Sequence, residues 1–323
     1  MLTLSREAGA VILGAAHGYT VETFKLDKLV HLSNDVMDIF AQSAKPGAWM
    51  VDLIQSLQII NGETKPSYIA NIFKLHGTPE PGSDLSSVAK WTAGSLYGGG
   101  SDTVVATLEC FLIVMALYPD VQAKAHEEIE RVIGSAKLPN PKDRSRLLYL
   151  NAVVKEVLRW HPVAPLGLPH SSIKDDICGD YSIPRGSMMT MMHEPSTYHD
   201  PITFKPERFF PTKSQDGASE PDPHSIIFSF GRQVCPGRFL AGNTVFLTVA
   251  QTLAAFNTNN AIQDGVPASS TPRLTPGLIS HPSPFQFAIK PRSPVHGALG
   301  LSAEQEYLWE SSDPSKIEDW TEI

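Results

Sequence analysis

One cysteine stands where a loop turns into a helix, in Phe228-Ser229-Phe230-Gly231-Arg232-Gln233-Val234-Cys235-Pro236-Gly237. Pro236 suits the first position of a helix, where its missing N–H would have no intrahelical partner. Cys235 then lies just outside a helix N-terminus, whose macrodipole and free N–H groups favour negative charge. That favours the thiolate, the form that binds metal. Gly231 and Gly237 let backbone come close to whatever the sulfur holds, and Phe228 and Phe230 are placed to keep water off it. With no second Cys or His nearby in the sequence, a single dry thiolate suits an iron already held by four macrocycle nitrogens. Two alternatives are open. One is a buried structural cysteine, since free Cys commonly behaves as a small hydrophobe. The other is a nucleophilic thiol, for which the loop offers no obvious histidine base.

Two further clusters could do chemistry or hold it in place. Gly98-Gly99-Gly100-Ser101-Asp102-Thr103 interrupts a helical pattern. Three glycines inside a helix cost on the order of 1 kcal/mol each relative to alanine, so they need a reason. Close approach of another body is one, and entry of a hydroxyl or water into the hydrogen-bond ladder is another. Plain helix–helix packing through small residues is the structural alternative. A nucleotide loop is disfavoured because no strand precedes the glycines. In Lys155-Glu156-Val157-Leu158-Arg159, the Glu and Arg are three apart on one helix face. By itself this is a surface ion pair worth under about 1 kcal/mol.

The elements that position these residues read mainly as helices. Val30 to Phe40, Trp49 to Ile60 and Tyr68 to Leu75 are short helical patterns within a largely amphipathic N-terminal portion. The longest pattern runs from Leu85 to Leu117, with Asp84 or Ser83 able to cap its start. A second runs from Pro119 to Ile133, with Glu127, Glu128, Glu130 and Arg131 as a solvated face and Gly134 as its stop. A third runs from Arg146 to Trp160, ending before Pro162. Val163 to Ser187 changes to short segments between turn residues, as in small sheets. Pro195 to Pro223 is an ordered loop, Leu240 to Phe256 an apolar helix, and Pro272 to Ile289 holds short strand signals. The 23 residues after Gly300 carry seven acids and one lysine and read as a disordered tail. The domain boundaries are therefore 1–300 and 301–323.

Composition bounds the function. The chain has 323 residues, 42% of them hydrophobic, enough for a sizeable core. A formal net charge of −8 argues against nucleic acid or an anionic membrane surface as a general partner. Three cysteines make no disulfide framework and point to a reducing compartment. No apolar run is read as reaching the roughly 18 to 20 residues of a membrane span, and Ala8 to Ala16, short and flanked by Arg6, Glu7 and His17, reads as a buried helix or strand and not a signal peptide.

The cysteine stretch resembles the heme-binding loop of the cytochrome P-450 family, Phe-x-x-Gly-x-Arg-x-Cys-x-Gly. The other clusters match that family in its order. These are the glycine–Asp–Thr run, then Glu156-x-x-Arg159 followed by Trp160-His161-Pro162, then Arg208 in Pro206-Glu207-Arg208-Phe209, then the cysteine loop. The style is that of fungal secondary-metabolism members. The resemblance implies a mainly α fold with small β-sheets, here its C-terminal heme-binding portion. It implies heme b, with Cys235 as the proximal iron ligand, electrons from NADPH through a reductase, and insertion of one oxygen atom of O2 into a small apolar organic substrate such as a terpenoid or polyketide.

Residue by residue, the resemblance makes Gly99, Gly100, Asp102 and Thr103 an oxygen groove. Thr103 would hydrogen-bond the dioxygen and Asp102 would relay protons. Phe228, Gly231 and Gly237 shape the cofactor loop, and His170 would reach a heme propionate, unless it is a loop histidine in solvent. Glu156, Arg159 and Arg208 become a structural scaffold in which two bidentate guanidinium–carboxylate contacts lock the loop carrying Cys235. Val163 to Leu168, Thr275 to Ile279 and Gly94 to Tyr97 would line the substrate pocket. The implied location is intracellular, at the cytosolic face of the endoplasmic reticulum.

The chain departs from the pattern in places. The family's N-terminal anchor, most of its first sheet and the helices roofing the substrate site have no counterpart. The stretch between Met192 and His199 is short. Gln233 stands where an arginine usually pairs with a propionate. A heme covered on one side leaves apolar surface in water at about 25 cal/mol per Å2. The rival expectation is therefore a non-catalytic remnant of the fold that binds heme weakly, or binds only a partner.

Overall fold

A computed structural model describes residues 68–306 apart from 78, 81, 166, 168–173, 186–192, 211–218, 264, 265, 268–272, 276 and 277. The expectations for residues 1–60, for His170 and for 307–323 fall outside the described residues. Among those described, the order is α1 (Tyr68–His76), α2 (Asp84–Leu117), α3 (Pro119–Val132), α4 (Leu148–Trp160), β1 (Asp176–Cys178), β2 (Tyr181–Ile183), a one-turn α5 (His224–Ile227), α6 (Arg238–Ala255), β3 (Phe256–Asn260), β4 (Ile262–Gln263), β5 (Val266–Pro267), β6 (Phe287–Pro291) and α7 (Pro294–Glu306). Short 3₁₀ turns cover Pro141–Arg146, Pro206–Phe209 and Gly231–Gln233. The described residues fall into two compact units, one closing at Val105 and one running Ala106–Gln305.

In the first unit, α1 and the start of α2 share a small apolar cluster of Ile69 and Ala93, with Tyr68 against it. Ser83 caps α2, its hydroxyl accepting from the Ser86 N–H at 3.2 Å. Asp84 is the first helical residue instead. The helix then runs 34 residues. It is long and apolar enough by length and composition to cross a membrane, which the reading of the sequence missed, but its apolar stretch is mostly buried inside the protein.

The second unit is built on α3, α4 and α6, which pack against one another. Their buried positions recur at helical spacing: Val121, Ala125 and Ile129; Leu150, Val153, Val154, Val157 and Leu158; Val245, Phe246, Val249, Ala250 and Leu253. Val132 ends α3, and Gly134 (φ +87°) follows, its N–H donating back to Glu130 O at 3.0 Å. The sheets are two-stranded and antiparallel: β1 with β2, β3 with β6, β4 with β5. The β1–β2 connection is the two-residue turn Gly179-Asp180, and Gly179 supplies the positive φ of +60° that a tight hairpin needs. α6 passes directly into β3, and Arg292 just after β6 closes the join, donating from its backbone N–H to Ala255 O (3.0 Å) and from Nη1 to Ala254 O (3.2 Å). α7 continues to Glu306, into the segment expected to be a disordered tail.

The solvated face expected on α3 is broken by Glu128. This residue is buried, and its two carboxylate oxygens accept from the backbone N–H groups of Tyr149 and Leu150, both at 2.9 Å. A carboxylate from one helix therefore caps the orphan donors at the start of the next. Gln122, also buried on α3, donates from Nε2 to Thr258 O at 2.9 Å and accepts from Thr258 N–H at 2.7 Å. It stands in for a neighbouring strand beside β3.

Two outcomes are expected. Glu128→Ala uncovers two buried backbone donors, so unfolding by urea is expected to show about 1–3 kcal/mol less stability, with Glu128→Gln between the two. His126, largely buried on α3, has its pKa lowered from 6.5 to about 4, by burial first and then by the Arg292 charge. The unfolded imidazole takes up its proton near pH 6.5 and the folded one only near 4. Its contribution to stability is therefore complete above pH 6.5 and is lost as pH falls toward 4. Melting temperatures measured across that window are expected to fall on acidification, and less steeply in His126→Phe.

Candidate heme-binding site and its scaffold

The scaffold centres on Glu156, on α4 and fully buried. Arg159, one turn later and also fully buried, grips it with both arms of the guanidinium: Nε donates to Oε2 at 2.7 Å and Nη2 to Oε1 at 2.8 Å. The backbone N–H of Lys205 donates to the same Oε1 at 2.7 Å. Arg208, from the 3₁₀ turn, brings only Nε, 3.2 Å from both oxygens. The second bidentate contact expected from the sequence is therefore absent. Arg208 spends its other donors elsewhere: Nη1 on Glu220 Oε2 and His199 O, both at 2.7 Å, and Nη2 on Asp200 O (3.2 Å) and Thr203 O (3.1 Å).

The electrostatics follow this geometry. Burial works against the charge on Arg208, but its hydrogen bond to Glu220 and the charges of Glu156 and Glu220 outweigh it and hold its pKa up. Glu220 balances a site that would otherwise hold two buried cations against one anion, and the sequence reading did not find it. Tyr198 lies under Arg159, ring centroid 5.4 Å from the guanidinium carbon. Asp200 sits at φ +50°, an unfavourable region that Asp tolerates better than most residues, with its carbonyl held by Arg208. Trp160 donates from Nε1 to Ile202 O at 2.8 Å, and its ring meets the buried Phe204 edge-on at 6.1 Å.

A second strut leaves α4 from the neighbouring residue. Lys155 Nζ lies 2.7 Å from Asp222 Oδ2. Asp222 Oδ1 accepts from the backbone N–H of His224 at 3.0 Å and contacts its Nδ1 at 2.9 Å, forming an Asx turn that starts α5. Burial tends to raise the Asp222 pKa, but the hydrogen bonds from His224 and Lys155 hold its carboxyl well below the usual range. Asp222-Pro223 before a short helix was the available sequence signal. From α5 the chain passes to Phe228, whose ring lies 5.6 Å from that of His224. Arg144 braces the far side, donating from Nη1 to Gly242 O (3.1 Å) and Asn243 Oδ1 (2.7 Å) on α6, with its guanidinium 4.9 Å over the Phe246 ring.

The cysteine loop is a closed turn. Cys235 N–H donates to Phe228 O at 2.8 Å, and within that closure Gln233 N–H donates to Phe230 O (3.2 Å) and Val234 N–H to Gly231 O (3.3 Å). Gly231 sits at φ +57° and Ser229 at φ +63°; the second is strained for a serine and was not foreseen. α6 begins at Arg238, so Pro236 is not its first residue. Instead Cys235 O accepts from Arg238 N–H at 3.3 Å, and Pro236-Gly237 forms the turn into the helix. A residue that opens a turn leaves its proline outside the regular ladder. Phe230 is 56% exposed, contrary to the expectation that it shields the sulfur, while Phe228 is half-buried.

The donor set fits an iron carried in its own ring. Cys235 is a half-buried free thiol. A methyl added at Gly237 would lie 3.8 Å from Sγ, so the glycine leaves that side of the sulfur uncovered. Among the described residues no group of three or more His, Cys, Asp or Glu could hold a metal by itself. An iron that brings four nitrogens of its own needs no more from these residues than the one sulfur.

On α2, in the other unit, Thr103 donates from Oγ1 to Gly99 O at 2.8 Å. Thr92 and Ser95 make the same i−4 bond on this helix, to Val88 O and Trp91 O, so the bond by itself does not account for the glycines. The structure joins Glu156, Arg159 and Arg208 in one network, Cys235, Phe228, Gly231 and Gly237 in one loop, and Thr103 with Gly99.

Residues 84–289 match the family description Cytochrome P450. Curated relatives include the cytochrome P450 monooxygenase ppsD of Aspergillus oryzae, 38% identical over 97% of this chain and 67% of its own length. Cytochrome P450 monooxygenase claR of Ampulloclitocybe clavipes is 38% identical over 88% of this chain and 60% of its own. The O-methylsterigmatocystin oxidoreductase of Aspergillus flavus is 34% identical over 97% and 66%. The chain therefore spans about two thirds or less of the length of these relatives. A solved zebrafish cytochrome P450, crystallised with abiraterone, has the same fold at a TM-score of 0.69, with 22% identity over 90% of this chain and 71% of that one.

Removing the central carboxylate is expected to be costly. Glu156→Gln leaves Arg159 and Arg208 buried without their shared counter-charge, and urea unfolding is expected to show a loss of about 3–5 kcal/mol. Arg208→Lys, which cannot reach all of its present acceptors, is expected to lose less.

Proposed function

Because the chain belongs to the cytochrome P450 family, we propose that it is the heme-thiolate part of a monooxygenase acting on an apolar organic substrate. The observation that carries the proposal is the closed loop from Phe228 to Cys235, which offers one half-buried thiol beside a glycine. Bound there, heme b supplies the oxygen activation, by which one atom of O2 enters the substrate and the other leaves as water. Electrons come from NADPH through a reductase, and the family's usual location is the cytosolic face of the endoplasmic reticulum.

The chain's own residues divide the remaining work. Cys235 would hold the iron through its sulfur, and a thiolate there would supply electron density that favours O–O cleavage. The loop hydrogen bond from Cys235 N–H to Phe228 O fixes the backbone that carries that sulfur. Glu156, Arg159 and Arg208 hold the segment leading to the loop and touch no substrate. Thr103 and Asp102 are assigned to dioxygen and its protons by their motif. The Thr103 hydroxyl donates to Gly99 O at 2.8 Å, inside the glycine run of the same motif. Leu278, within the Thr275 to Ile279 stretch assigned to the pocket, suits an apolar substrate. A tailoring step in specialised metabolism, on a polyketide or terpenoid, is supported by relatives such as the O-methylsterigmatocystin oxidoreductase.

The test is the absorption spectrum of heme-reconstituted full chain, reduced and exposed to carbon monoxide. A strongly red-shifted Soret band that Cys235→Ala abolishes is the expected result; a band unaffected by Cys235→Ala, or no heme uptake, overturns the proposal. Gln233→Arg is expected to slow heme loss to apomyoglobin. Thr103→Ala is expected to divert reducing equivalents to peroxide while leaving the carbon monoxide band in place.

A further inference from the structure

Glu109 is 3% exposed on the apolar stretch of α2, between buried Leu108 and buried Cys110. Its Oε2 lies 3.1 Å from Nδ1 of His281, 172 residues later. Its Oε1 is buried with no hydrogen-bond partner among the described residues. A buried carboxylate with a single partner is a poor way to gain stability, because a well-packed apolar side chain would do as well or better. That single contact, to a residue far along the chain, points to a positional use.

The segment it holds is a short hairpin. Ser283 N–H donates to Arg273 O at 2.6 Å, Thr275 N–H to His281 O at 2.8 Å, and His281 N–H to Thr275 Oγ1 at 3.0 Å. Ser280 Oγ donates to Thr275 O at 2.9 Å. The hairpin is stitched to the end of α4: Ser280 N–H donates to Val163 O at 2.8 Å, and buried His161 places Nε2 3.0 Å from Ser280 O. Leu274 and Leu278 on this hairpin remain 45% and 40% exposed. Thus the hairpin is bound to the segment after α4 by a backbone bond and by the His161 ring, and the Glu109–His281 pair ties it to α2.

We infer that Glu109 and His281 are positioning residues that fix the Thr275–His281 hairpin against α2 and thereby set which apolar ligands the protein prefers. The inference rests on the reading of that hairpin as pocket lining. Glu109 anchors, His281 carries the hairpin, and Leu274 and Leu278 present the selecting surface.

The test is a double-mutant cycle on the full heme-loaded chain with two readouts. Amide exchange at Thr275, Ser280 and His281 is expected to quicken about tenfold in Glu109→Leu and in His281→Leu. The double variant is expected to be no faster than either single one, while α4 amides stay unchanged. Glu109→Gln, which keeps an acceptor for Nδ1, is expected to retain most of the protection. The ratio of affinities for a short and a long saturated fatty acid, read from the heme spin-state shift, is expected to change alike in both single variants, with the carbon monoxide band unaltered. Unchanged exchange, or additive effects in the double variant, overturns the positioning role. Faster exchange with an unaltered fatty-acid ratio overturns the selection role. Failure of the wild-type chain to take up heme would count against the family reading instead, and the exchange cycle would still decide whether the pair positions the hairpin.

Discussion

Everything around the cysteine loop depends on one buried carboxylate. Glu156 is removed from water along with two guanidinium groups, and the desolvation involved is several kcal/mol per ion. Good geometry offsets it: a two-pronged grip by Arg159, a backbone donor from Lys205, and Nε of Arg208. Glu220 then balances the charge on Arg208, whose remaining donors hold three carbonyls of the 199–203 segment. Such a network is weak as a source of net stability. Its value lies in specificity: a shifted 199–208 segment would carry Lys205 N–H and the Arg208 guanidinium away from these acceptors.

From that point order passes to the sulfur through a second, more exposed set of charges. Lys155 sits beside Glu156 in sequence and points to a different target, Asp222, which starts α5 and leads into Phe228. Arg144 ties α6 from the opposite side through Gly242, where an added methyl would make ordinary contact with both Arg144 and His224. The loop is thus held at its entrance by α4 and at its exit by α6. The two strained or left-handed backbone positions within it, Ser229 and Gly231, are affordable because both flanks are fixed.

The same division of labour recurs away from the cysteine. Buried polar side chains on α3 do structural work that charged residues on a surface helix rarely do: Glu128 caps α4, and Gln122 completes β3. On α2 a carboxylate reaches a distant hairpin. In each case a side chain from one element satisfies backbone or imidazole groups of another, and the price of burying it is what makes the arrangement specific.

The sequence by itself determined the elements and the chemistry of the cluster. Apolar spacing set α2, α3, α4 and α6 to within a residue or two, because 3.6-residue periodicity is a local property. The types and order of Cys235, Glu156, Arg159, Arg208 and the glycine–Asp–Thr run identified the family. What the tertiary structure alone decided was partnership. Glu128 reads as solvated from its neighbours in sequence, and only the approach of α4 makes it a cap. Arg208 divides its donors between Glu156 and Glu220, and Glu109 finds His281, because these pairs are separated by 12 to 172 residues and meet only after the helices have packed. Local pattern encodes which residues can be buried, whereas the satisfaction of a buried charge is a three-dimensional condition that no local window contains.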